Sequence, residues 1–116
     1  MFMSREVIYS PGYGAGWWTW YSGPISFEDF CCHPILVKAV QDGKFSEMRE
    51  HKDIIQVPEF KEWYSLMQSK YQLDENHDIY AAGLFNAIVK TVSGRIRIEE
   101  YDGSEFIEYE HEAEFY

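Results

Sequence analysis

The chain has 116 residues with a formal net charge of −10, and 46% of it is hydrophobic and 18% aromatic. That length suits one hydrophobic core, and the apolar content excludes a disordered chain despite the charge. No apolar run approaches the roughly 20 residues of a bilayer-spanning helix, and the acidity opposes approach to phosphate backbones and anionic membranes.

The expectation is therefore a single domain, residues 1–116, that binds neither nucleic acid directly nor membrane. Arg5 and Glu6 interrupt the stretch where a secretory signal needs an apolar core, which points to the cytoplasm. Cys31 and Cys32 are the only cysteines. Being adjacent, they could join only through a strained ring, so reduced thiols are expected.

In chain order, Glu6 to Ser10 reads as a short strand that Pro11 ends, because proline cannot donate to a ladder. Pro11 to Gly23 interleaves Gly12, Gly14, Gly16 and Gly23 with Tyr13, Trp17, Trp18, Trp20 and Tyr21, a loop that combines backbone freedom with large flat rings. Ser26 can cap a turn through Glu28 and Asp29. Pro34 then opens a helix with Ile35, Leu36, Ala39 and Val40 on one face, ended by Asp42-Gly43. A second short helix is expected over Phe45 to Lys52, followed by a connector over Ile54 to Val57.

From Pro58, the spacing of Phe60, Trp63, Tyr64, Met67 and Tyr71 predicts an amphipathic helix. Leu73 to Asp78 is turn-like, Leu84 to Val92 has strand composition, and Ser93-Gly94 is a turn. Arg95 to Tyr101 is a further strand, and Asp102-Gly103 is a strong hairpin signal. Glu105 to Tyr116 should return as its partner, with Ile107, Tyr109, Ala113 and Phe115 alternating with Glu108, Glu110, Glu112 and Glu114. The sum is an α+β fold: a small antiparallel sheet of the N-terminal strand and a C-terminal hairpin or meander, covered by two or three helices.

Two stretches could carry recognition. Glycines after a strand let backbone N–H groups approach an anion, and aromatic rings offer stacking faces. This makes Tyr13, Gly14, Gly16, Trp17, Trp18 and Trp20 candidate ligand-binding residues for a nucleotide-like molecule, with Arg95 or Arg97 supplying charge. The loop lacks the Lys-Ser/Thr of a P-loop, and its glycine spacing is not that of a dinucleotide fold. The competing reading is a tight loop that packs Trp17 and Trp20 into the core.

The second stretch is the carboxylate series Glu99, Glu100, Asp102, Glu105, Glu108, Glu110 and Glu112, extended by Glu114. It could dock on a basic partner, or serve as a solubilising edge that prevents sheet aggregation. Cys31, Cys32 and His33 with His51 or His77 lack a metal-binding spacing, and a Cys–His nucleophile pair would rest on composition alone. Asp74 to Asp78 lacks the glycine and terminal glutamate of a calcium loop. Neither a metal, a cofactor nor catalysis is expected.

The run Val7-Ile8-Tyr9-Ser10-Pro11-Gly12-Tyr13-Gly14-Ala15-Gly16-Trp17 with Trp20, and the later run Arg97-Ile98-Glu99-Glu100-Tyr101-Asp102-Gly103-Ser104-Glu105, resemble a widespread family of small, mostly uncharacterised phage and prophage proteins. The resemblance implies an infected bacterial cytoplasm and, by analogy with small phage accessory proteins, a counter-defence role. The leading expectation is a non-enzymatic accessory protein that sequesters a nucleotide-derived ligand in the glycine–aromatic loop. The alternative is an acidic inhibitor whose Glu-rich hairpin binds a host defence protein or nuclease. Exposed rings at Trp17 and Trp18 would also favour a homo-oligomer.

Overall fold

The structure, a computed structural model, describes residues 4–12 and 15–109. The elements are β1 (Ser4–Tyr9), α1 (Phe27–Cys31), α2 (Pro34–Gln41), α3 (His51–Ile54), α4 (Pro58–Tyr71), a 3-10 turn (Ala81–Leu84), β2 (Ile88–Ser93), β3 (Ile96–Tyr101) and β4 (Ser104–Tyr109). The fold is α+β, as expected.

Local chemistry explains most boundaries. Ser26 Oγ accepts from the Asp29 amide at 3.2 Å and caps α1, while Glu28 and Asp29 place negative charge at its positive end. His33 caps α2 through Nδ1, which accepts from the Ile35 amide at 3.2 Å, and Pro34 supplies a preset φ at the first helical position. Leu36, Val37 and Ala39 are the buried face of α2; Ile35 and Val40 are only half-buried. In α4 the buried positions are Phe60, Trp63 and Met67, and Gln72 ends the helix in the left-handed region at φ 56°. The C-terminal end of α4 is tied to α1, because Asp29 receives Lys70 Nζ at 2.7 Å and the Tyr71 hydroxyl at 2.5 Å.

The strands form two antiparallel pairs. β1 pairs with β2, with Tyr9 opposite Ile88 and Arg5 opposite Val92. β3 pairs with β4, with Ile98 opposite Ile107 and Tyr101 opposite Ser104. Asp102 (φ 56°) and Gly103 (φ 83°) are the two positive-φ residues of the tight connection, the geometry whose twist matches paired strands. The expected single sheet is thus divided into two. The Glu105 amide, donating to the Ser10 carbonyl at 2.7 Å, links the hairpin to the end of β1.

Two expected elements move. Leu84 to Ala87 is not strand: the chain makes a 3-10 turn and β2 begins at Ile88. Gly83, in that turn, lies so close to the Gly16 and Trp17 backbone that any side chain would collide. The helix expected over Phe45 to Lys52 is reduced to α3. Gly43, at φ 73°, leads into successive turns in which Phe45 is buried, and helix resumes only at His51. The expected return strand beyond Tyr109 lies outside the described residues.

The core is aromatic. Trp17 stacks on Phe30 with ring centroids 4.2 Å apart, and Trp63 meets Phe30 edge-on at 5.7 Å. Both indole N–H groups are satisfied by α1 carbonyls: Trp17 Nε1 donates to Phe30 at 3.0 Å and Trp63 Nε1 to Asp29 at 2.9 Å. Large rings are stable in a core on that condition, since an unpaired buried donor is costly.

Candidate functional site

The glycine–aromatic loop is organised around Glu105. Along β4, the side chain of Glu105 shares its phase with that of Ile107 and points inward, where it is 1% exposed. One carboxylate oxygen accepts from the Ser10 amide at 2.8 Å. The other accepts from the Trp17 amide at 3.0 Å and from the Thr19 amide and hydroxyl, each at 2.8 Å. The Ser10 hydroxyl donates to the Ala15 carbonyl at 2.9 Å, and the Ser104 hydroxyl donates to the Pro11 carbonyl.

Converging backbone amides form the kind of concavity that binds anions, and here the anion is the chain's own carboxylate. Glu105 therefore does not belong to an outward carboxylate series. Ser10 and Trp17, from the N-terminal part of the chain, thus meet the hairpin at Glu105.

Trp17, expected as an outward stacking face, is 1% exposed and belongs to the core. Its burial follows from stacking on Phe30 and from an indole N–H already satisfied by a carbonyl. Gly16 is buried, and a side chain there would meet Thr19 and Trp20. Trp18 is half-buried, its ring meeting Phe27 edge-on at 5.3 Å. Tyr13 and Gly14 lie outside the described residues.

Of the loop's three tryptophans, Trp20 alone points outward. It is 41% exposed, packs on Tyr80 with centroids 5.2 Å apart, and donates from Nε1 to the Glu100 carboxylate. Neither arginine joins it in the contacts observed. Arg97 sits between Glu99 at 2.6 Å and Glu108 at 3.4 Å, and Arg95 is exposed in the turn between β2 and β3.

The carboxylates accordingly occupy different settings. Glu99 and Glu108 share Arg97, Glu100 holds the Trp20 indole, and Asp102 is exposed at the hairpin tip. Glu110 and Glu112 lie outside the described residues. Sequence reasoning missed Tyr80, which is 46% exposed beside Trp20, and Tyr101, which is 79% exposed at the hairpin tip. The Asp-Gly turn signalled Tyr101, because a residue directly before a two-residue turn has few neighbours to cover it. No sequence signal pairs Tyr80 with Trp20.

Burial, then the neighbouring Cys32 and the Glu105 charge, raises the Cys31 thiol well above its ordinary value; burial pushes Cys32 up to about 11. His33 Nδ1 is engaged as the α2 cap. Among the described residues, no group of three His, Cys, Asp or Glu side chains could hold a metal ion, and no helix is long and apolar enough to cross a membrane.

No protein-family model matches this sequence, and comparison with curated proteins and with solved structures finds no significant match to either.

Proposed function

We propose that this chain is a non-enzymatic binding protein that docks on a basic protein partner. Its contact surface is the face made by Trp20, Tyr80 and Glu100. The observation that carries this reading is the exposed Trp20–Tyr80 pair whose indole N–H is held by the Glu100 carboxylate. Aromatic faces beside carboxylates suit an arginine side chain, because guanidinium stacks on a ring while its N–H fork pairs with a carboxylate. The net charge of −10 adds long-range attraction for a basic partner and raises its encounter rate.

The resemblance to phage proteins supports a host defence protein or nuclease as that partner, and counter-defence as the role. Nucleotide capture by the glycine loop has less support. The amides that would cradle a phosphate already hold Glu105, and a second anion beside that buried carboxylate would be repelled.

The test is affinity capture from host bacterial extract by the wild-type chain and by a Trp20→Ala, Glu100→Lys variant. The expected result is a basic protein that the wild type retains, that salt elutes, and that the variant loses. Equal capture by both chains, or retention indifferent to salt, would remove the proposal.

A further inference from the structure

A cleft of about 400 Å³ opens between α3, α4 and the turn after α4. Its apolar floor is Phe60, Tyr64 and Ile55; Phe60 and Tyr64 are one helical turn apart and their rings are near-parallel at 17°. The walls are held in place by hydrogen bonds that do not involve any ligand. The Tyr64 hydroxyl donates to the His77 carbonyl at 3.3 Å, and the Tyr21 hydroxyl pairs with His77 Nε2 at 2.8 Å. His51 Nδ1 accepts from the Ala81 amide at 3.1 Å, which in the neutral ring places the proton on Nε2, a donor.

Around that floor stand Lys61, Gln68 and Glu75, and among the described residues no ion pair or side-chain hydrogen bond engages their head groups. The cleft therefore offers donors (Lys61, His51 Nε2, the Gln68 amide) and acceptors (Glu75, the Gln68 carbonyl) around an aromatic surface. A volume near 400 Å³ falls at the lower end of small-molecule sites, enough for one or two fused rings with a substituent.

We propose that this cleft binds an uncharged planar heterocycle carrying both donors and acceptors on its edge, of the nucleobase or nucleoside class. The ring lies on Tyr64, which Phe60 backs, and Gln68, Glu75 and Lys61 read its edge. An uncharged ligand is favoured over a phosphorylated one for two reasons. The single permanent cation in the lining is opposed by Glu75, and the whole chain repels anions. The site shares no residue with the Trp20 face, so the two proposals stand or fall separately.

The test is a titration of the full chain with adenosine, cytidine and uridine and with their 5′-monophosphates, followed by amide and histidine side-chain NMR shifts. At least one nucleoside should give saturable shifts confined to α3, α4 and residues 74–77, and its monophosphate should bind more weakly. Gln68→Leu should weaken binding roughly tenfold, as loss of paired edge contacts does, and Trp20→Ala should leave it unchanged. The absence of saturable shifts from every nucleoside would overturn the assignment. So would tighter binding of the monophosphate, or wild-type affinity in both Gln68→Leu and Glu75→Ala.

Discussion

Replacing Glu105 by alanine removes the acceptor of four donors at once and leaves the Ser10 and Trp17 amides buried. Each buried donor without a partner costs about 1–3 kcal/mol. The Thr19 amide and hydroxyl are only part-buried and can recover water. The expected loss is therefore about 4 kcal/mol, from a total of roughly 6–15 kcal/mol for a chain of this size.

Glutamine at the same position separates charge from shape. With its carbonyl in the place of the oxygen that serves Trp17 and Thr19, three of the four donors keep an acceptor. Its NH₂ group then opposes the Ser10 amide, and the loss should fall to about 2 kcal/mol. Urea denaturation read by tryptophan fluorescence and by far-ultraviolet dichroism measures both values, with Trp17 as a reporter at the affected site. A Glu105→Ala protein within about 0.5 kcal/mol of wild type would refute the reasoning, because ordinary surface substitutions fall in that range.

Gly83→Ala should destabilise by about 1–3 kcal/mol, the usual range for overpacking, since the added methyl meets the Gly16 carbonyl; an unchanged urea midpoint would contradict the backbone contact. At Asp29, burial alone would raise the carboxyl, but hydrogen bonds from Lys70 and Tyr71 and the charges of Lys70 and His33 outweigh it, so the group titrates below its ordinary 3.8. A carboxyl held low in the folded state contributes stability present above its unfolded value and lost as pH falls through the folded one. The wild type should therefore lose stability below about pH 4 more steeply than Asp29→Asn; parallel pH profiles would contradict the assignment. Alkylation of the native chain at neutral pH should be slow at both thiols, and Cys32 should speed up as pH approaches about 11, while fast neutral labelling would mean the thiols are not covered.

The elements legible in the sequence are those whose signals are local. Pro58 and the i, i+3, i+4, i+7 spacing that follows marked α4, Pro34 marked the start of α2, Asp102-Gly103 marked the hairpin, and Ser26 marked a turn where the structure has the short helix α1. Leu84 to Ala87 shares the strand composition of β2, and composition carries no information on whether a pairing strand is in reach. What decides the outcome is the contact of Gly83 with the Gly16 backbone, 67 positions away in sequence.

Composition grouped Glu105 with its acidic neighbours, but its position is odd-numbered, in phase with Ile107 and Tyr109 and out of phase with Glu108 and Glu110. That phase was the available sign that its side chain points inward. The four donors waiting there come from residues about 90 positions earlier, and no local pattern encodes them. Trp17 and Trp20 are likewise indistinguishable by type; only the packing of Phe30 on one and of Tyr80 on the other sorts buried from exposed.

In the free protein the Glu105 carboxylate holds the Ser10, Trp17 and Thr19 amides. Amide hydrogen exchange at Ser10, Trp17 and Thr19, measured by NMR on the unliganded chain, tests this most directly. These three amides should be protected to a similar degree and lose protection together in Glu105→Ala. Exchange at the rates of an unstructured loop in the wild-type chain would contradict it.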